Sequence, residues 1–356
     1  MIDDQAQGRP DVPEAPEVPN TPNTPNTPEA PEAPEAPEAP DAFEANRRYL
    51  GSVAYRLLGS FTDAEDVLQD AWLRWQAADR TAVADPRAFL TTVVTRLCYD
   101  QLGSARARRE AYYGEWLPEP SVSYADGPDS PAELAERGES VSLALLAVLE
   151  QLTPAERAAF VLHDVFAVGF EEIGTSLDRT ADAARQLASR ARRRVRAGGR
   201  GEGSRGEDGP GGRDQGGRRA GAGAPRTGAD PAGHRQAVEA FAAASTRGDI
   251  LALMEVLDPD VVWHSDGGGI VRAGVRPVHG ADRVSRLVAG LVAKWFTPGT
   301  GIGRAAVNGE PGLLWYDLAT GTVGGVLAFT VDAGRITEAY AMLNPEKLGR
   351  VPAVEL

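Results

Sequence analysis

The chain has 356 residues, 42% of them hydrophobic, which is enough for two or three domains with separate cores. Its single cysteine, Cys98, excludes an internal disulfide, so a cytoplasmic location is the simplest expectation. We expect no membrane span, because the apolar run at 141–149 is too short, and no signal peptide, because the first residues are acidic and proline-rich. The net charge of −14 does not exclude a nucleic-acid partner, because seven arginines and no acidic residue lie between positions 183 and 201.

Proline recurs at every third position from Pro10 to Pro40, which is the period of a polyproline II helix, and glutamates lie between. This pattern predicts an extended, disordered acidic tail. The tail could repel DNA or recruit a partner, although composition alone favours a solvated spacer. The predicted division of the chain is a tail at 1–40, a helical domain at 41–111, a linker at 112–132, a second helical domain at 133–197, a Gly/Arg-rich linker at 198–233 and a C-terminal domain at 234–356.

The first predicted amphipathic helix opens at a capping box, Thr62-Asp63-Ala64-Glu65, and runs to about Gln76. One face is apolar and the other is polar and mostly acidic. Carboxylates in a first turn are favoured by the helix dipole, which explains them without any partner. The alternative is a docking face for a basic partner. The residues of this face that we single out are Asp63, Glu65, Asp66 and Gln69.

The next predicted helix is capped by Asp85-Pro86 and carries hydroxyls and arginines opposite its apolar stripe. Such a face suits a nucleic-acid strand through phosphate contacts, although a merely solvated face is an equally good interpretation. The residues concerned, including those of the arginine-rich end, are Arg87, Thr91, Thr95, Arg96, Asp100, Arg106, Arg108 and Arg109.

A helix-turn-helix is predicted within residues 152–196. Thr153-Pro154-Ala155-Glu156 is a capping box with proline at the first helical position, 170–177 fits a short helix, and Thr180 caps the next helix. That last helix has an apolar stripe and a basic face, which is typical of a helix that enters the major groove. A basic surface helix of a bundle is the alternative. The predicted DNA-facing residues are Arg179, Thr180, Arg185, Gln186, Ser189, Arg190 and Arg193.

The order of these pieces resembles an extracytoplasmic-function (ECF) sigma factor. The stretches that carry the resemblance are LLGSFTDAEDVLQDAWLRW, DPRAFLTTVVTRLCYDQLGSARARRE and LTPAERAAFVLHDVFAVGFEEIG with RQLASRARRRV. It implies that the acidic face docks onto the β′ clamp helices of RNA polymerase. It also implies that the segment from Arg87 to Arg109 recognises and melts the −10 element and that the last helix reads the −35 element. Gly174 departs from the family's usual alanine, which predicts a looser helix there.

The C-terminal segment shows two helices, a strand ending in Asp266-Gly267-Gly268-Gly269, a helix at about 281–295 and strand patterns broken by Asn308-Gly309 and Ala333-Gly334 turns. It resembles the SnoaL-like, nuclear-transport-factor-2-like cone. The predicted fold class is therefore two all-α sigma domains, a region 2 bundle and a region 4 helix-turn-helix, followed by an α+β cone.

Three short motifs resemble the group of sigma factors with a fused SnoaL-like extension. They are Trp116-Leu117-Pro118-Glu119-Pro120, Asp266-Gly267-Gly268-Gly269 and Asn344-Pro345-Glu346-Lys347-Leu348. Each alone reads as a turn, but together they imply segments that dock the extension on the core and tune its activity. Ile270 stands where the family has a lysine after the glycines, so any ionic contact of that residue is lost. The interdomain residues so identified are Trp116, Leu117, Pro118, Glu119, Pro120, Asp266, Gly267, Gly268, Gly269, Asn344 and Pro345.

Enzymes on the cone fold often use an Asp or His base, and His264, Asp266, Trp263 and Tyr316 are the available candidates here. The other histidines are scattered, so we expect no metal site, no cofactor and no catalysis. The expected partners are core RNA polymerase and promoter DNA, with a small molecule in the cone as a further candidate. The two alternatives are a ligand-sensing helix-turn-helix regulator without polymerase and a DNA-tethered isomerase or hydrolase.

Overall fold

The computed structural model describes residues 41–110, 112–124, 141–198, 230–295 and 297–355. The predicted tail at 1–40 and most of the predicted linker at 198–233 lie outside these residues. The N-terminal half is helical, with helices α1 (Ala42–Leu58), α2 (Phe61–Ala77), α3 (Pro86–Glu110), α4 (Leu143–Leu149), α5 (Pro154–Phe160), α6 (Phe170–Leu177) and α7 (Ala181–Gly198).

The first two helices are joined by a tight turn. Gly59 adopts a left-handed conformation that ends α1, and its N–H donates to the Tyr55 carbonyl. Ser60 then caps α2 by accepting a hydrogen bond from the Asp63 N–H at 3.2 Å. The prediction that Thr62 caps this helix was wrong, because α2 begins one residue before it, at Phe61.

The helix-turn-helix has the predicted local structure. Thr153 and Glu156 form a reciprocal capping box at α5, and α6 covers the predicted residues. A π-helical turn, Val161–Val165, extends α5 before the chain turns toward α6. Thr180 accepts a hydrogen bond from the Ala183 N–H at 3.2 Å and so caps α7.

One hydrophobic core joins the two helical domains. It contains Phe43 and Trp75 from the first domain together with Phe160, Ile173 and Leu187 from the second. Helix α3 packs on α6, so the two domains share an interface. The helix-turn-helix is therefore held against the first bundle in this arrangement.

The C-terminal domain begins with α8 (Pro231–Arg247), three residues before the predicted boundary, because Asp230 caps that helix and Pro231 fits its first position. Helices α9 (Ile250–Val256), α10 (Ala281–Trp295) and α11 (Pro345–Leu348) follow. The described strands are β1 (Val122–Ser123), β2 (Leu257–Asp266), β3 (Val278–His279), β4 (Thr300–Val307), β5 (Glu310–Asp317), β6 (Val323–Asp332) and β7 (Arg335–Met342).

The described strands form one sheet in the order β1-β4-β5-β6-β7-β2-β3. The pairs β4–β5, β5–β6 and β6–β7 are antiparallel, whereas β2 runs parallel to β7. The turns at Asn308-Gly309 and Ala333-Gly334 have positive φ at both residues, which matches the predicted two-residue hairpins. The predicted α+β cone is confirmed.

Each face of this sheet has its own core. One face packs on α8, α9 and α10 through residues such as Phe241, Trp263 and Phe329. The opposite face packs on the helical half, where Leu117 and Leu143 contact Leu314, Tyr340 and Met342. The sheet is thus sandwiched between its own helices and the helix-turn-helix half of the chain.

Residues 112–124 of the predicted linker at 112–132 are part of this sandwich, and the rest of it lies outside the described residues. Its strand β1 pairs with β4 at the edge of the sheet, with Val122 opposite Val307. Leu117 is buried in the core between sheet and helices. The Pro, Gly and Ser content that suggested a free linker instead suits a segment that lies across another domain.

Candidate nucleic-acid interface and interdomain junction

The predicted −35 face of α7 is open to solvent. Its arginines are exposed, although Arg185 pairs with Asp182 and Arg190 contacts Glu156 at 3.3 Å. Glu156 is buried and also pairs with Arg194, which ties the basic end of α7 to the cap of α5. The exposed members of the face are Arg179, Thr180, Arg185, Gln186, Ser189, Arg190 and Arg193.

The predicted −10 face of α3 is partly covered. Thr91 is 2% exposed and Thr95 is 0% exposed, so the expectation that both face a strand of DNA fails in this arrangement. Arg96 donates to the Thr175 carbonyl of α6 at 2.8 Å, and Ser176 donates to the Thr92 hydroxyl. Thr91 and Thr95 belong to the buried side of α3, beside Val94 and Cys98, whereas Thr92 and Arg96 are the residues that contact α6.

The remaining residues of that face have separate environments. Arg87 and Asp100 are exposed, and the Arg87 guanidinium lies 3.9 Å from the centre of the Tyr49 ring. Arg109 pairs with Glu150 and lies 3.7 Å from the Trp116 ring. The side chains of Arg106 and Arg108 lie outside the described residues.

The predicted docking face of α2 is largely accessible. Glu65, Asp66 and Gln69 are exposed, and Asp63 accepts a hydrogen bond from Gln101 at 3.1 Å. Glu65 is also contacted by the C-terminal domain, because Arg350 donates to its carboxylate at 2.8 Å. The C-terminal domain therefore reaches the edge of the acidic face.

Asp266 is the centre of the contact between linker and sheet. It is 0% exposed, and its carboxylate accepts hydrogen bonds from the Tyr112 hydroxyl at 2.6 Å and the Leu117 N–H at 2.9 Å. The Lys347 ammonium lies 2.7 Å away and also donates to the Leu117 carbonyl at 2.6 Å. Asn344 donates to the Tyr112 hydroxyl at 2.9 Å. We call these five residues the interdomain junction.

The charges of the junction compensate each other. A buried carboxylate is tolerated only when it is paired and fully hydrogen-bonded, and Asp266 has a cation and neutral donors around it. Burial lowers the pKa of Lys347, which Asp266 opposes, while burial and the neighbouring Asp266 raise the pKa of Tyr112. Removing either partner would leave the other charge buried without compensation.

The glycines after Asp266 allow this close packing. A Cβ atom on Gly267 would lie 2.1 Å from the Val271 carbonyl oxygen. Gly268 has φ +65°, and a Cβ there would lie 2.5 Å from the Asn344 side chain. Ile270, which stands where the family has a lysine, is uncharged and exposed. The cation that pairs with Asp266 is Lys347 from α11.

The segment Trp116-Leu117-Pro118-Glu119-Pro120 connects all three domains. Trp116 lies under the Lys347 ammonium at 4.0 Å, and Leu117, Pro118, Glu119 and Pro120 are buried. Glu119 accepts hydrogen bonds from the Ser60 hydroxyl at 2.9 Å and the Phe61 N–H at 2.8 Å. A carboxylate at the N-terminus of α2 is favoured by the helix dipole, so the linker stabilises the start of that helix.

Three of the four candidates for catalysis, His264, Asp266 and Trp263, have structural partners, and Tyr316 lies half-buried at the edge of the core between sheet and helices. The His264 Nδ1 lies 2.6 Å from the Glu115 carboxylate, and its ring stacks on Tyr340. Asp266 belongs to the junction, and Trp263 is buried in the core. Among the described residues, no three His, Cys, Asp or Glu side chains are grouped so as to hold a metal ion.

The sequence does not predict the roles of two junction residues or of Asn308. Tyr112 lies outside the three motifs, and Lys347 lies within the last of them but is not among the predicted interdomain residues. Their pairing with Asp266 joins positions 154 and 81 residues apart. Asn308 was read only as a turn, yet its amide donates to the Tyr55 hydroxyl at 3.0 Å. The one signal in the sequence that could have pointed to Lys347 is the rarity of lysine, because the chain has just two lysines, Lys294 and Lys347, against 35 arginines.

Comparison with known proteins identifies the family. Models for sigma-70 region 2, sigma-70 region 4 and a SnoaL-like domain match residues 42–108, 142–195 and 238–339. The chain is 41% identical over 319 residues to the ECF RNA polymerase sigma factor SigJ of Mycobacterium tuberculosis, covering 88% of this chain and 94% of that one. The chain belongs to the ECF RNA polymerase sigma factors.

Other members of the ECF family agree with this assignment. The probable ECF RNA polymerase sigma factor SigI of Mycobacterium tuberculosis is 34% identical, with 86% of this chain and 93% of that one covered. The crystal structure of Mycobacterium tuberculosis SigJ matches 88% of this chain and 99% of its own with a TM-score of 0.65 at 37% identity. This ECF sigma factor therefore acts with RNA polymerase at promoter DNA, and a regulator that works without polymerase is not favoured.

None of the helices in the described part of the chain is both long and apolar enough to cross a membrane.

Proposed function

We propose that this sigma factor directs RNA polymerase to selected promoters and that its SnoaL-like domain modulates this activity in cis. The acidic face of α2 docks onto the β′ clamp helices, the segment from Arg87 to Arg109 recognises the −10 element, and α7 reads the −35 element. The protein works in the cytoplasm, where its polymerase is, and performs no chemistry of its own. A small molecule bound in the cone would change how strongly the SnoaL-like domain modulates transcription.

The observation that carries the proposal is the buried Asp266. It joins the linker between the two DNA-binding domains to the sheet and to α11, because its carboxylate accepts hydrogen bonds from the Tyr112 hydroxyl and the Leu117 N–H and pairs with Lys347. The two DNA-binding domains are packed together in the same arrangement, with Arg96 of α3 donating to the Thr175 carbonyl of α6. We infer that this compact form must open for α3 to contact the promoter, and that the junction sets how readily it opens.

The test is transcription by the full-length protein with core RNA polymerase, on promoters selected from genomic fragments by the wild-type protein. Asp266→Asn leaves Lys347 buried without its counter-ion, so it weakens the junction. We expect promoter-specific transcript levels to change at least about threefold, with the binding of core polymerase retained. Asp260→Asn, an exposed carboxylate on the same strand, is the matched control and should leave transcription unchanged.

Two outcomes contradict the proposal at different levels. No promoter-specific transcription by the wild-type protein from any fragment would contradict promoter selection. Equal transcription by wild type, Asp266→Asn and Asp260→Asn, with a lowered melting temperature for Asp266→Asn, would show that the junction stabilises the fold without modulating activity.

A further inference from the structure

A cavity lies between the sheet and the helices of the C-terminal domain. It has a volume of about 340 Å³, which is at the lower end of the range for small-molecule sites. Its wall is mostly apolar, with contributions from α8, α10 and strands β2, β4, β5, β6 and β7. Four large aromatic side chains take part: Phe241, Trp263, Trp295 and Trp315. Trp295 and Trp315 meet edge to face at 6.3 Å. Such walls favour a flat, apolar ring system.

The side chains with polar groups in the cavity wall are few: Ser245, Ser265, Arg272 and Lys294, besides the indole N–H groups of the tryptophans. Ser245 is buried, and its hydroxyl has no hydrogen-bond partner among the described residues. Arg272 and Lys294 also line the cavity but are exposed, which puts them at its mouth. Within the described part of the chain, neither cation pairs with a carboxylate. A ligand with an anionic end and an apolar body would therefore suit a site that has apolar walls and two exposed cations.

Strand β2 connects the cavity to the interdomain junction. Successive side chains of a strand point to opposite faces. Trp263 and Ser265 line the cavity, while the intervening His264 and the following Asp266 contact the linker. The same strand is thus a wall of the cavity on one face and the anchor of the linker on the other.

We propose that the cavity binds an apolar organic anion with an aromatic ring, such as an aryl carboxylate, and that its occupancy is coupled to the junction through β2. Arg272 and Lys294 hold the anionic group, and the tryptophans and Phe241 contact the ring. This ligand class deepens the proposed modulation in cis. The effect of the ligand on transcription rests on the proposed modulation, whereas ligand binding and its coupling to the junction do not.

The site is tested with a matched pair of fluorescent probes, the anion anilinonaphthalene sulfonate and the neutral phenylnaphthylamine, which share their rings. Both are titrated into the full-length protein. We expect the anion to bind roughly fivefold to tenfold more tightly than the neutral probe. The double variant Arg272→Gln/Lys294→Gln should abolish this preference. Arg276→Gln/Arg283→Gln removes the same charge from exposed positions outside the cavity wall and should retain it.

A second pair of variants tests the location. Ser245→Leu fills the cavity and should weaken both probes at least about tenfold, whereas Ser245→Ala should leave the affinity for the neutral probe unchanged. Equal affinity of the wild-type protein for both probes would overturn the proposal, as would a preference that survives loss of both cations. If Ser245→Leu melts below the assay temperature, the charge variants decide alone.

Coupling to the junction is measured in the same titration without polymerase. Ligand and junction affect each other reciprocally, so Asp266→Asn should shift the affinity for the anionic probe by roughly threefold or more. Asp260→Asn should not. An unchanged affinity in Asp266→Asn would overturn the coupling, whatever transcription by the protein turns out to be.

Discussion

At the scale of single residues, Gly174 shows how a local rule can be overruled by packing. Glycine lowers helix propensity by about 1 kcal/mol relative to alanine, and the sequence therefore predicted a looser α6. In the structure, a Cβ at this position would lie 2.8 Å from the Arg179 carbonyl oxygen and 3.2 Å from the Ala181 nitrogen. The glycine allows the turn of the helix-turn-helix to fold back against α6.

We therefore expect Gly174→Ala to lower the free energy of unfolding by about 1–2 kcal/mol, because the backbone of the turn must shift. Gly103→Ala on α3 is the matched control, since nothing lies within 4 Å of its Cβ. It should raise stability by up to about 1 kcal/mol. The measurement is chemical denaturation of both variants. Stabilisation by Gly174→Ala as well would contradict the packing argument.

Glu310 gives a residue-scale prediction of pH dependence. Burial raises the pKa of this carboxyl to about 7. The folded state thus binds a proton more tightly than the unfolded chain, so the contribution of Glu310 to stability is complete below the ordinary glutamate pKa and is lost as the pH rises through 7. The free energy of unfolding of Glu310→Gln relative to wild type should therefore be about 1 kcal/mol higher at pH 8 than at pH 5.

Thermal unfolding at the two pH values checks this expectation. Glu255→Gln, which removes an exposed carboxylate on α9, is the control, and it should change the free energy of unfolding equally at both pH values. A Glu310→Gln difference that does not grow between pH 5 and pH 8 would contradict the assignment to burial.

At the scale of elements, α2 is the helix whose surface matters most for polymerase. Its exposed Asp66 is the clearest member of the acidic face, because Asp63 is hydrogen-bonded to Gln101 and Glu65 is contacted by Arg350. We expect Asp66→Arg to weaken the binding of core RNA polymerase roughly tenfold through charge repulsion, with an unchanged melting temperature. The exposed Glu255→Arg changes net charge equally and should bind normally. If both variants bind like wild type, the acidic face is a solvated surface.

The same helix shows what the sequence could predict. Its position and its apolar stripe follow from periodicity, as do α6, α10 and the Asn308-Gly309 hairpin, because all of these depend on neighbours a few residues away. Its cap is Ser60, a local signal three residues before Asp63, whereas the support of Ser60 by Glu119 could not be predicted because the two are 59 residues apart. Asp266, Leu117, Asn344 and Lys347 lie in motifs that the sequence identifies, but the role of Lys347 and the part played by Tyr112 depend on long-range contacts.

At the scale of the whole molecule, the sheet separates the cavity from the linker and the helical half of the chain. One face surrounds the cavity, and the other holds the linker and α4. The helix α3 is covered by α6, and the junction holds the chain that connects the two DNA-binding domains. Any rearrangement that separates these domains must therefore move the linker, and the buried ion pair at Asp266 must then break or move with it.

The two lysines of the chain make this opening measurable. The Lys347 side chain is 9% exposed in its pair with Asp266, whereas Lys294 is exposed at the mouth of the cavity. An amine-acylating reagent should therefore modify Lys294 quickly and Lys347 slowly in the free protein. If binding of core RNA polymerase opens the junction, acylation of Lys347 should accelerate at least about tenfold while that of Lys294 changes little. Mass spectrometry of the two peptides gives both rates, and Asp266→Asn should accelerate Lys347 even without polymerase. If Lys347 stays protected in a polymerase complex that is active in transcription, initiation proceeds with the junction closed. The modulation would then have to act without separating the linker from the sheet.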